Sequence, residues 1–117
     1  MNNRDVEASA DVAPEVCMIL VRDVFRLKFG KARDALAAFK EVGEAAKGMG
    51  YGSDSFRVLT DLVGPYYTLV LETTYAGLSA YEQMGTKIMA NQEWRNAYQK
   101  FTPHVESGYR EIFTVVQ

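Results

Sequence analysis

Two β-type stretches of this chain carry apolar side chains at odd and even positions alike, and that pattern limits the available folds more than any other feature. In residues 16–29 the first half offers Cys17, Ile19 and Val21 on one side and Met18, Leu20 and Val24 on the other. Residues 66–75 repeat this, with Tyr67, Leu69 and Leu71 set against Tyr66 and Val70. Successive side chains of a strand point to opposite faces, so each stretch has two apolar faces. An antiparallel sheet with one face in water would carry a polar face instead. Both faces of the sheet therefore need a cover.

The helical segments suffice for one face. After Gly30, residues Ala32, Leu36, Phe39, Val42, Ala46 and Met49 recur every three or four positions, with Lys31, Arg33, Asp34, Lys40, Glu41 and Lys47 between them, which predicts an amphipathic helix. Gly48, Gly50 and Gly52 close it. Phe56, Val58, Thr60 and Leu62 then alternate with Arg57, Leu59 and Asp61. Gly64-Pro65 supplies a turn and residues 66–75 resume strand, so strands two and three form a hairpin. A second helical stretch opens near Leu78, with Tyr81, Gly85, Ile88 and Met89 on one stripe, and breaks at Asn91. It resumes through Trp94, Ala97, Tyr98 and Phe101 until Pro103, which disfavours helix in the residue before it. Residues 105–116 alternate Tyr109, Glu111, Phe113 and Val115 with Arg110, Ile112, Thr114 and Val116 as strand four. The order β-α-β-β-α-β predicts an α+β, ferredoxin-like domain: a four-stranded antiparallel sheet with two helices on one face.

A chain of 117 residues fits one such domain. Residues 1–14 are polar, without the apolar centre of a signal peptide, and read as a flexible N-terminal arm; residues 15–117 form the single domain. No sequence remains for a third layer, so the simplest cover is a second copy. The expectation is a homodimer through the sheet faces, the two sheets closing a dimeric α/β barrel.

Charge and composition exclude several partner classes. A formal net charge of -2 with both signs interspersed creates no field to gather nucleic acid or an anionic membrane. The longest apolar run, residues 16–21, is far below the roughly 20 residues that span a bilayer. One cysteine, Cys17, and one histidine, His104, permit neither an internal disulfide nor a Cys/His metal set. Gly48, Gly50 and Gly52 do not follow a strand, so they do not form a phosphate-cradling loop. The expected protein is cytoplasmic, needs no metal or other cofactor, and meets neither nucleic acid nor membrane.

His104 is the first catalytic candidate, because imidazole alone has an unperturbed pKa near neutrality and this one stands where helix two hands over to strand four. The competing reading is an ordinary loop histidine after Thr102-Pro103. Tyr75, Tyr81, Trp94, Tyr98 and Phe101 are candidate ligand-binding residues, since flat rings hold a flat ligand and phenol hydroxyls orient it. At helical spacing such rings also serve as core. Glu72, in the middle of strand three, is either an acid at the site or one half of an ion pair with Arg22, Arg57 or Arg110. Cys17 in an apolar strand reads as a small buried hydrophobe.

The junction Phe25-Arg26-Leu27-Lys28-Phe29-Gly30-Lys31, followed by Leu36 and Phe39, resembles the opening of dimeric α/β-barrel proteins, in particular the NIPSNAP-like and antibiotic-biosynthesis-monooxygenase-like branches. Gln92-Glu93-Trp94-Arg95-Asn96-Ala97-Tyr98 is similar to the end of the second helix in those branches. Phe29 replaces a common proline and Asp23 stands where NIPSNAP-like chains tend to carry arginine. The resemblance covers residues 16–117 and implies a pocket between helices and sheet. In some relatives that pocket oxidises polycyclic phenols without a cofactor; in others it only binds. Haem-degrading relatives use a histidine near the end of helix two and a first-strand asparagine; Tyr98 takes the first place here and strand one has no asparagine, which argues against haem. The leading expectation is a small, mainly apolar organic ligand. The other two are cofactor-independent monooxygenation of a phenol or quinol, and a non-catalytic dimerisation module.

Overall fold

The computed structural model of the protein describes residues 18–50 and 56–117. In chain order these form β1 (Ile19–Leu27), α1 (Ala32–Gly48), β2 (Phe56–Thr60), β3 (Thr68–Tyr75), α2 (Leu78–Ala90), α3 (Gln92–Phe101), a 3-10 turn (Thr102–His104) and β4 (Val105–Thr114). The strands make one antiparallel sheet in the order β2-β3-β1-β4, the α+β ferredoxin-like arrangement that the element order predicts. The sheet is open, with β2 and β4 as its edges, so the described residues of one chain form no closed barrel. The expected arm over residues 1–14, as well as Cys17 and Gly52, lies outside the described residues.

One face of the sheet carries the core. Leu27 and Leu69 from β1 and β3 meet Ala35, Ala38, Phe39 and Val42 of α1 and Ala97 and Phe101 of α3. On α1 the buried stripe runs Ala35, Ala38, Phe39, Val42, Ala45, whereas Leu36 only flanks the core. Alanines hold the closest positions because a small side chain lets a helix settle near its neighbours.

The elements are shorter than the alternation suggests, for local reasons. β1 stops at Leu27 and Phe29 is 79% exposed in the turn that follows. β3 starts at Thr68 because Tyr67 has φ 63, a left-handed conformation that no strand continues through. Leu62 and Val63 are 97% and 93% exposed and belong to the loop. That loop is closed by Asp61, whose backbone N–H donates to the Thr68 carbonyl (3.2 Å) and whose carboxylate accepts from the Thr68 N–H (2.8 Å). The second helical stretch is two helices rather than one: Asn91 is extended (φ -89, ψ 114) and its side chain accepts from the Trp94 N–H at 2.7 Å, capping α3. Pro103 ends α3 at Phe101 and enters the 3-10 turn.

The other face of the sheet is crossed by a row of alternating charge. Arg57, Glu72, Arg22 and Glu111 stand opposite one another on β2, β3, β1 and β4. Arg57 Nη2 lies 2.9 Å from Glu72 Oε1, Arg22 Nε 3.4 Å from Glu72 Oε2, and Arg22 Nη1 3.4 Å from Glu111 Oε1. Apolar rows flank it: Leu59, Val70, Val24 and Tyr109 on one side, Leu20 and Phe113 on the other.

Candidate functional site

Odd-numbered residues of β1 and β3 face the helices. Toward Leu27 and Leu69 they are packed under α1 and α3, but at the opposite end the cover is α2, which has no buried residue of its own. The helix stands off the sheet there and leaves a cleft of about 340 Å³, within the range of small-molecule sites. Val21, Asp23, Phe25, Leu71, Thr73 and Tyr75 form its floor together with Arg110 from β4. Phe39, Val42, Gly43 and Ala46 of α1 make one wall. Tyr81, Glu82, Gly85, Ile88 and Met89 of α2, Trp94 and Tyr98 of α3 and Phe56 of β2 make the rest.

The polar residues of this mainly apolar cleft include Asp23, Arg110 and Tyr81, beside Glu82, Thr73, Tyr75 and Tyr98. Asp23 and Arg110 are cross-strand partners on β1 and β4, with Nε 2.5 Å from Oδ1. The same guanidinium donates from Nη1 to the Tyr81 hydroxyl at 2.6 Å and lies 5.8 Å from the centre of the Tyr81 ring. The hydrogen bond to Asp23 raises the Arg110 pKa above its usual value against the opposing effect of burial, so this group is a permanent cation. Burial pushes the Tyr98 phenol up, the charge of Asp23 pushes it the same way, and Arg110 opposes them. Tyr98 is therefore a neutral hydroxyl at ordinary pH. Its ring lies on Trp94 with centroids 4.7 Å apart and planes 13° from parallel, and Tyr75 meets Tyr81 edge-on at 5.4 Å.

Of the residues singled out in the sequence, Tyr75, Tyr81, Trp94 and Tyr98 come together around the cleft. Phe101 does not: it is fully buried in the core, edge-on to Phe25 at 5.1 Å and to Phe39 at 4.8 Å. Glu72 does not either, because its even position turns it to the outer face, where it binds Arg22 and Arg57. Of the three arginines considered for it, Arg110 is held by Asp23 instead. His104 sits in the 3-10 turn, where its carbonyl accepts from the Lys28 N–H at 2.8 Å, and it does not line the cleft. Sequence reasoning missed the Asp23–Arg110 pair. The available signal was that Asp23 shares its parity with the apolar Val21 and Phe25, which puts a carboxylate on a buried face and demands a cation there.

Among the described residues no group of three or more His, Cys, Asp and Glu side chains is placed to hold a metal ion. Among them, too, no helix is long and apolar enough to cross a membrane.

The sequence matches the NIPSNAP family over residues 22–117. The chain belongs to that family. Solved NIPSNAP structures share its fold. A NIPSNAP family protein from Agrobacterium tumefaciens is 19% identical with a TM-score of 0.75, the match covering 86% of this chain and 88% of that one. An uncharacterised NIPSNAP-like domain protein from Burkholderia xenovorans is 18% identical with a TM-score of 0.77, covering 87% and 88%. A candidate antibiotic biosynthesis monooxygenase from Caulobacter crescentus is 15% identical with a TM-score of 0.69, covering 88% and 93%. No curated protein matches the chain. At these identities the structural neighbours of this NIPSNAP-family chain speak for its fold, and its chemistry has to be argued from its own cleft.

Proposed function

We propose that this NIPSNAP-family protein binds a small, mainly apolar organic molecule in the cleft between its helices and sheet, and that it does so as a homodimer joined through the outer sheet faces. The observation that carries the binding reading is a cleft of about 340 Å³ with mainly apolar walls and a hydrogen-bonded polar cluster, Asp23, Arg110 and Tyr81. A pure dimerisation module leaves that cleft unexplained. Asp23 and Arg110 compensate each other in charge and Glu82 adds a carboxylate to the lining, so an anion is disfavoured and the ligand is read as an apolar body with a single hydroxyl or carbonyl that donates to Asp23 or accepts from Arg110 and Tyr81. The test uses the protein's single tryptophan, Trp94, which lines the cleft. 2-Naphthol should quench its emission saturably, and Ile88→Arg, which puts a charge into the cleft, should abolish the effect. The reading is abandoned if neither 2-naphthol nor 1-hydroxypyrene gives saturable quenching.

A second reading, cofactor-independent oxygenation of a phenol or quinol, is favoured by the carboxylate beside the cation in the cleft and by the name of the Caulobacter neighbour. In it Asp23, not His104, accepts the phenolic proton, and Arg110 and Tyr81 hold the oxyanion. Molecular oxygen then converts an adjacent methylene to a carbonyl with release of water. Oxygen uptake with a panel of phenols and quinols should be lost in Asp23→Asn and kept in His104→Ala. A panel without uptake above the protein-free control removes this reading and leaves the first.

A further inference from the structure

Glycine inside a helix is costly, and proline alone is a poorer helix former. Gly43 and Gly85 both occupy helix interiors, in α1 and α2, and both line the cleft. Two physical reasons commonly force a glycine. One is a positive φ, as at Gly64 (φ 149), and the other is a close approach, as at Gly108, where a Cβ would stand 2.9 Å from the Val24 carbonyl oxygen. Neither applies here: Gly43 and Gly85 have no positive φ, and a Cβ added at either would meet nothing within 4 Å among the described residues. Packing against the described residues does not explain them. Each instead sits in the middle of its helix's cleft-facing stripe, Gly43 between Phe39 and Ala46 and Gly85 between Tyr81 and Ile88.

We infer that Gly43 and Gly85 set the size of the ligand, holding open a slot for a mainly apolar, hydroxyl- or carbonyl-bearing molecule whose polar end reaches Asp23, Arg110 and Tyr81. The inference rests on the cleft being a binding site, as proposed above. The apolar body of the ligand lies in the space that side chains at positions 43 and 85 would fill. Helix stability is traded for that space, a cost typical of functional sites.

The experiment compares 2-naphthol, with two rings, and 1-hydroxypyrene, with four, on the wild type and on Gly43→Ala, Gly85→Ala, Gly43→Leu and Gly85→Leu, following Trp94 quenching and thermal unfolding. The alanine variants should melt about 2 to 5 °C above the wild type, since each improves a helix without a clash. They should also lose affinity for 1-hydroxypyrene by about tenfold more than for 2-naphthol, as one methyl group in an apolar pocket discriminates on that scale. The leucine variants should bind neither probe. A lowered melting point in the alanine variants would assign the glycines to packing and overturn the inference, and so would an unchanged ratio of the two affinities. If the wild type binds neither probe, the binding site itself fails and the slot with it. If it binds and the leucine variants bind equally well, the slot fails alone.

Discussion

Trp94 and Tyr98 are stacked, and the burial that aligns them also raises the pKa of Tyr98. Because the folded phenol holds its proton above the ordinary value of 10.0, the unfolded chain releases it first. The stabilisation this gives is complete below that value and disappears as pH rises through the folded pKa. Tyr98→Phe should remove this part of the alkaline loss, read as a flatter dependence of the urea midpoint on pH. Beside it, the Asp23–Arg110 pair is asymmetric: the carboxylate side chain is 15% exposed and the guanidinium 55%. Arg110→Met strands a largely buried carboxylate and should cost about 1–3 kcal/mol. Asp23→Asn leaves a cation that water can reach and should cost less, about 0.5–1 kcal/mol. Urea denaturation of the two variants checks the order, and a larger loss for Asp23→Asn would contradict the burial argument.

At the scale of elements, local signals carried most of the chain. The period of Ala32 to Met49 predicts the helix seen over Ala32–Gly48, and Asn91 predicts a break that the structure realises as a capped helix start. Asn91→Ala should therefore cost about 1 kcal/mol, measured by chemical denaturation, through loss of the bond to the Trp94 N–H. It should also weaken probe binding in the cleft, because that cap sets the orientation of α3 and its aromatic pair. Strand ends were less legible. Tyr67 leaves strand geometry through its backbone angle, and nothing in a β-rich run of tyrosine, threonine and leucine announces that.

For the whole molecule, the homodimer proposed above rests on the outer sheet face. Its exposed apolar groups include Met18, Leu59, Tyr109 and Phe113, at 45%, 38%, 58% and 47%, on either side of the charged row. A row of alternating sign is self-complementary under a twofold axis, and apolar flanks supply the area to bury. Light scattering at micromolar concentration should give a dimer. Tyr109→Glu with Phe113→Glu, both exposed in the protomer, should yield a folded monomer with unchanged circular dichroism. A wild-type monomer would end the homodimer proposal and leave the cleft proposal standing, since the cleft is built within one chain.

What the sequence determined alone is everything that depends on neighbours a few residues apart: element order, the amphipathic helix and the break at Asn91. Those follow from side-chain period and backbone preference, which act locally. Tertiary structure alone decided which side chains meet. Strand register put Asp23 opposite Arg110 and turned Glu72 outward, and the stand-off of α2 opened a cleft around Tyr75, Tyr81, Trp94 and Tyr98 while α3 drove Phe101 into the core. Register is fixed by pairing between strands far apart in the chain, so no local pattern records it.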